Sequence, residues 1–255
     1  MRSSLDLCRQ ELRPWFLMMS HGTRDLQERS RMALAPFASV DLMRDAEVRA
    51  LLVSELASWH SDEPEVRIID ELAVCNGEAR IDVAVLNGQL TGWEIKSPRD
   101  RLDRLPNQVG YYSQVCDEAW LVTDGTHLEA AVALLPEWWG VMVLAVDEAG
   151  APCLRLWRKS MMNPIIDERA VVRLLWRSEA LELLDNIRPD HCLGRAPRVG
   201  IWEELAAQMD PAELRAAVCT ALKNRKPWRR DRVRRPQRKS TGWQVVATFE
   251  DDYGA

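Results

Sequence analysis

Asp82, Glu94 and Lys96 stand in the spacing D-x11-E-x-K. Two carboxylates brought together on neighbouring strands can hold a hard divalent cation through oxygen ligands. Such a cation polarises a phosphoryl oxygen and acidifies a bound water. A lysine two residues beyond the second acid reaches the same strand face, where its ammonium can position that water or neutralise charge on a phosphate. The expected chemistry is metal-assisted phosphodiester hydrolysis, with Asp82, Glu94 and Lys96 catalytic and Mg2+ or Mn2+ as cofactor. The spacing alone also suits a surface hairpin with an ordinary Glu-Lys pair.

Lysine usage adds weight to the first reading. The chain has 29 Arg and 5 Lys, and Lys96 is the single lysine in the first 158 residues. A compact ammonium can do what a planar, permanently charged guanidinium cannot.

The elements that must position these groups follow from periodicity. In DAEVRALLVSELASWH, 45–60, Val48, Leu51, Leu52, Leu56 and Trp59 recur at helical spacing, and Asp45 is placed to cap the start. EVRIIDELAV predicts a strand over about 66–74. ARIDVAVLNGQLTGWEIKS then alternates on both sides of Asn87-Gly88, a hairpin signal. Ile81, Val83, Val85, Trp93 and Ile95 predict an odd-numbered core face, leaving Arg80, Asp82, Ala84, Gly92, Glu94 and Lys96 on the opposite face. A two-residue turn would set Asp82 opposite Trp93, which breaks this parity. A three-residue loop, Leu86-Asn87-Gly88 with Gly88 left-handed, sets Asp82 opposite Gly92 and Arg80 opposite Glu94. Gly92 then leaves the face open, as a phosphate backbone needs.

Downstream, the pattern predicts a helix over about 100–116, interrupted or restarted near Pro106, a strand at 119–123, a short helix at 126–135, and strands at 141–146 and 153–157. Residues 167–185 and 201–222 read as helical. The order α-β-β-β-α-β gives an α/β fold, a mixed central sheet flanked by helices with further C-terminal helices. The division expected is an N-terminal extension (1–40, with a short helix near 24–34), a core (41–158), a helical C-terminal part (159–222) and a basic, flexible tail (223–255).

Bulk properties bound the function. With 255 residues and 47% hydrophobic content, the chain suits a soluble globular protein. It contains no apolar run near the ~20 residues of a membrane span, and Trp15–Met19 is too short for a signal core. A cytoplasmic location is expected. The six cysteines are scattered without a CxxC, which predicts reduced thiols rather than zinc ligands or disulfides. The net charge of −5 conceals an asymmetry: residues 223–239 hold ten Lys/Arg and one Asp, against 24 basic and 38 acidic residues elsewhere. A basic stretch on an acidic body suits a nucleic-acid contact, through Arg225, Lys226, Trp228, Arg229, Arg230, Arg232, Arg234 and Arg235. It equally suits a solvated tail that binds anions without specificity. Of the eleven tryptophans, Trp93, Trp157 and Trp176 fall on apolar faces and read as core, and Trp228 is the candidate for base stacking. His127 reads as a cap or surface residue.

The run from RIIDELAV through ARIDVAVLNGQLTGWEIKS to LPNQVGYYSQVCDEAWLVT resembles the PD-(D/E)xK nuclease superfamily, and within it a branch of bacterial and phage proteins. PEWWGV (136–141), NPIID (163–167) and LLWRSE (174–179) extend the resemblance over roughly 45–185. It implies a restriction-endonuclease-like core in which Asp82 and Glu94 bind metal and Lys96 is catalytic. It also implies a role for Glu47, matching a helix glutamate of many members, although a plain helix-surface acid fits that position as well. Glu71 is a further implied ligand or a structural acid. Gln108 and Tyr112 match the Q-x-x-x-Y pattern of RecB-like nucleases and, with Arg80 and Ser97, are expected beside the site. In one departure Ile81 stands where a proline often precedes the first acid. The implied partner is nucleic acid, DNA foremost, and a homodimer is compatible with the class. A non-catalytic nucleic-acid-binding module, or a regulatory protein whose tail binds an acidic partner, remains an alternative.

Overall fold

The structure is a computed structural model that describes residues 43–63, 65–225 and 245–246. The extension 1–40 with its expected helix, and most of the basic tail, lie outside the described residues.

The first helix, α1 (Asp45–Trp59), begins at the residue expected to cap it, so the cap lies one residue earlier. Arg44 is the N-cap, and the Glu47 carboxylate accepts the Arg44 backbone N–H at 2.8 Å. Val48, Leu52 and Leu56 form its buried stripe. Strands β1 (Arg67–Val74), β2 (Ala79–Leu86) and β3 (Leu90–Lys96) follow, then helix α2 (Leu105–Val115) and strand β4 (Glu118–Thr123). A short helix α3 (Leu128–Val132) leads to β5 (Gly140–Val146) and β6 (Pro152–Arg158). The expected α-β-β-β-α-β order is present, and the fold is α/β.

Each long helical stretch expected downstream is two helices. The first divides into α4 (Glu168–Val172) and α5 (Arg177–Ile187), the second into α6 (Arg198–Gln208) and α7 (Pro211–Asn224). The second break is local chemistry: Asp210 caps α7 by accepting the N–H groups of Ala212 and Glu213, and Pro211 occupies the first turn. A two-residue strand, β7 (Val245–Val246), lies parallel to β1.

Among the described residues the sheet order is β6-β5-β4-β3-β2-β1-β7. β1, β2 and β3 are antiparallel, β3, β4 and β5 are parallel, and β6 is antiparallel to β5. Both faces of the sheet are covered. On one face α1 packs against Val83, Val85, Trp93, Ile95 and Val122. On the other, α2 and residues of α4 to α7 pack against Ala84, Leu86, Leu121 and Val143. Among the described residues no helix is long and apolar enough to cross a membrane.

Two details correct the expected hairpin. The loop has three residues and Gly88 has φ +73°, but it comprises Asn87, Gly88 and Gln89. Leu86 pairs with Leu90, and Ala84 rather than Asp82 faces Gly92. Both leucines are buried, so this register places two apolar side chains where the expected one would have put Leu86 in the loop. Ile81 does not share a face with Val83 and Val85; it joins Ala84 and Leu86 in the cluster under α2. Ile69, Leu72 and Val74 of β1 lie in that same cluster, so β1 also reverses its alternation after Asp70. Both strands turn over at the Glu71/Asp82 level, Glu71 in the left-handed region at φ +54°, and the register is the same on either side. This shared reversal aims Asp82 differently from a regular strand residue.

Candidate active site

β3 lies between an antiparallel neighbour and a parallel one, and it carries Glu94 and Lys96 into the interior under α2. Glu94 is 1% exposed and Lys96 3%. Lys96 Nζ donates to Glu94 Oε1 at 2.5 Å and to Gln108 Oε1 at 2.9 Å. Gln108 Nε2 donates to the same Glu94 oxygen at 2.5 Å. The Tyr112 hydroxyl donates to Glu94 Oε2 at 2.7 Å and accepts the backbone N–H of Asp82 at 3.2 Å. Gln108 and Tyr112, one turn apart on one face of α2, therefore close over the E-x-K segment, as the resemblance implied. Burial and the negative charge of Asp82 push the Glu94 carboxyl up to about 7, against the lowering effect of Lys96 and Tyr112. Burial, with Glu94 and Asp82 nearby, raises the Tyr112 phenol well above its ordinary value, which keeps it a donor.

Gly92 explains how Tyr112 reaches Glu94. A Cβ at Gly92 would stand 2.8 Å from Cys116 Sγ and 2.9 Å from the Tyr112 ring. The bare backbone makes room for Tyr112 to cross β3; the space is not left open for a ligand, contrary to expectation.

Asp82 lies where the β2–β3 pairing ends, past Val83 and Trp93. Its Oδ2 accepts the backbone N–H of Ile95 at 2.9 Å. Its Oδ1 accepts from Arg49 of α1 at 3.1 Å, and its carbonyl oxygen also accepts from Arg49. The same guanidinium pairs with Asp70 Oδ1 at 2.7 Å and Asp45 Oδ2 at 3.3 Å. Burial raises the Asp82 carboxyl, while the Ile95 amide and Arg49 oppose that rise.

Other expected neighbours go elsewhere. Glu47 is exposed and caps α1. Glu71 pairs with Arg80 at 3.1 Å. Ser97 is buried, but its N–H and hydroxyl both donate to Asp100, shaping the turn after β3. His127, expected as a cap or surface residue, occupies the N-cap position of α3, where its side chain makes no cap bond. Sequence reasoning did not find Arg49, Asp70 or Asp45. Asp45 and Arg49 had a detectable i, i+4 spacing; Asp70 was hidden because β1 turns over beside it.

Asp82 and Glu94 fit a divalent cation by chemistry. Each offers hard oxygens with acceptor capacity beyond the donors named. Among the described residues no three acidic, histidine or cysteine side chains form a group that could hold a metal ion. An ion held here would rest on two carboxylates and complete its shell with water, as Mg2+ does readily.

The family described as Bacteriophage P4 protein cII matches residues 38–244, which include this whole cluster. The chain belongs to that family. It is similar to protein cII of Enterobacteria phage P4, at 25% identity over 187 residues, 72% of this chain and 69% of the relative. No solved structure matches the chain.

In this cII-family chain the expected nucleic-acid contacts divide. Arg225 is buried: it donates to both Glu179 oxygens at 2.6 Å and to the Leu174 carbonyl, and its guanidinium sits 4.4 Å from the Trp176 ring centre. It anchors the end of α7, which corrects its assignment as a nucleic-acid contact. Trp176, expected in the core, is 42% exposed and forms one side of that anchor. Trp93 is buried as expected and stacks on Trp120 at 5.0 Å; Trp157 is partly buried against the core. Lys226, Trp228, Arg229, Arg230, Arg232, Arg234 and Arg235 lie outside the described residues. The described cysteines are free thiols, and Cys8 lies outside.

Proposed function

We propose that this chain is a metal-dependent nuclease that hydrolyses phosphodiester bonds, in DNA foremost, at Asp82, Glu94 and Lys96. The observation that carries the reading is the buried network of Glu94, Lys96, Gln108 and Tyr112 on a central strand. Burying an ion pair costs several kcal/mol in desolvation, and apolar residues of similar volume often serve stability as well or better. A buried carboxyl shifted by desolvation and by a neighbouring acid, as Glu94 is beside Asp82, has the character of a reactive group. The element order and the resemblance to PD-(D/E)xK nucleases support the same reading.

Asp82 and Glu94 would hold Mg2+ or Mn2+, which supplies Lewis-acid activation of the phosphate and a more acidic water. Lys96 uses Glu94 and Gln108 to aim its ammonium and retains donor capacity for a phosphate oxygen. Tyr112 holds one Glu94 oxygen and the Asp82 backbone, so the two acids move as a unit. The reading carries with it a cytoplasmic location and a nucleic-acid partner.

A second reading rests on Arg49. Its guanidinium neutralises Asp82, which suits a nucleic-acid-binding protein that keeps the architecture without cleavage. Incubating the full chain with labelled linear, circular and single-stranded DNA, with Mg2+, Mn2+ or chelator, separates the two. Cleavage that needs metal and is lost in Asp82→Ala and Glu94→Ala, and severely impaired in Lys96→Arg, supports the nuclease. Metal-independent binding with no cleavage supports the second reading.

A further inference from the structure

Asp82 is held asymmetrically. Its Oδ2 is bound by a backbone amide, Ile95, that cannot leave without opening β3. Its Oδ1 is bound by a side chain, Arg49, that can turn away. One guanidinium there faces three carboxylates, from Asp45, Asp70 and Asp82, so the cluster keeps excess negative charge. All three acids retain solvent access: their side chains are 51%, 27% and 20% exposed. The helix that carries Arg49 is docked independently, through Val48, Leu52 and Leu56 in the apolar cluster. The seat of α1 therefore does not rest on Arg49 alone.

We propose that Arg49 is a displaceable internal counter-cation of this site. It competes with a divalent metal for Asp82, so metal entry and Arg49 release are one event. The released guanidinium, on a helix that stays docked, lies beside the metal-bearing acid and is available to a substrate phosphate, which it can engage through two N–H groups. The inference rests on the reading of Asp82 as a metal ligand, and it assigns Arg49 a positioning role that the D-x11-E-x-K spacing does not contain.

The test is binding of Mn2+ alone to the full chain, by calorimetry and by the metal-induced shift in melting temperature, with no DNA present. Removing a charge-assisted hydrogen bond that the metal must otherwise break should tighten Mn2+ binding by about tenfold to a hundredfold in Arg49→Met. Arg49→Lys keeps the charge but loses the fork, and should fall between the two. Adding Asp82→Asn to Arg49→Met should return binding to the parent level or weaker. If Arg49→Met folds only with Mn2+ present, the metal has replaced the guanidinium and the proposal stands. If it does not fold at all, Arg49→Lys decides. Mn2+ affinity in the folded variants equal to or weaker than the parent's overturns the competition, whether or not the chain cleaves DNA. Absence of cleavage by the parent chain sinks the nuclease reading instead, and leaves the Mn2+ comparison intact.

Discussion

Glu94 is the residue whose protonation most directly links the site to the stability of the fold. Its folded value of about 7 lies above its ordinary 4.5, so the folded chain holds this proton more tightly than the unfolded chain. The associated stability is full below 4.5, declines as pH rises to about 7, and is flat above. The shift corresponds to at most about 3 kcal/mol across that window. Glu94→Gln cannot titrate, so its pH–stability curve should lack this decline. Above about 7 its absolute stability should equal or exceed the parent's, because the neutral amide avoids the burial cost that raises the Glu94 carboxyl. Denaturant melts at a series of pH values from about 4 to about 9, spanning both ends of that window, check both; an unchanged slope in the variant would assign the titration to another group.

At the scale of elements, the site depends on how closely α2 approaches β3. Gly92 permits that approach because Tyr112 and Cys116 occupy the space a Cβ would take. Neither neighbour is a flexible chain end, since both are fully buried. Gly92→Ala should therefore cost about 1–3 kcal/mol by overpacking. It should also move the Tyr112 hydroxyl off Glu94 and, under the proposed function, reduce cleavage by more than the loss of folded protein explains. Tyr112→Phe keeps the ring and removes only the hydroxyl, so it separates the packing effect from the hydrogen bond. A Gly92→Ala protein with parental melting and activity would show that the helix shifts freely. The reversal of β1 and β2 at Glu71 and Asp82 works at the same scale. It brings Asp70, not Glu71, to the guanidinium that holds Asp82.

For the whole molecule, the question is what the basic stretch does. Its first members belong to the fold. The α7 end is held by Arg67 of β1, which donates to the Leu222 carbonyl at 3.0 Å and to that of Lys223, and by Arg225 on Glu179. A truncation that removes Arg225 would therefore test stability and nucleic-acid binding together. Replacing Lys226, Arg229, Arg230, Arg232, Arg234 and Arg235 by serine, with Arg225 kept, isolates the second. Nucleic-acid affinity should fall, and the slope of log K against log salt should flatten by about 0.9 for each phosphate that is no longer neutralised. The melting temperature should stay at the parental value. Unchanged affinity and slope would exclude these six residues as the proposed nucleic-acid contact.

Much of the architecture was legible because local patterns carry it. The hairpin, the parity that joins Glu94 and Lys96, the shared helix face of Gln108 and Tyr112, and the α/β order all follow from spacing within a few residues; that this face returns to the E-x-K segment came from the resemblance. A strand's alternation and a helix's i, i+4 neighbours are properties of the backbone itself. What the sequence could not determine involves groups far apart in the chain. The final hairpin register was decided by burying Leu86 and Leu90 together. The role of Gly92 was decided by Tyr112, from the next helix along the chain. Arg225 was one cation among ten in its stretch until Glu179 and Trp176 were placed around it. Arg49 looked like any helix arginine, because its three aspartates come from one turn of its own helix and from two strands, and only tertiary packing brings those strands beneath it. Periodicity reports which face a residue occupies; the identity of its opposite partner depends on how the faces are stacked.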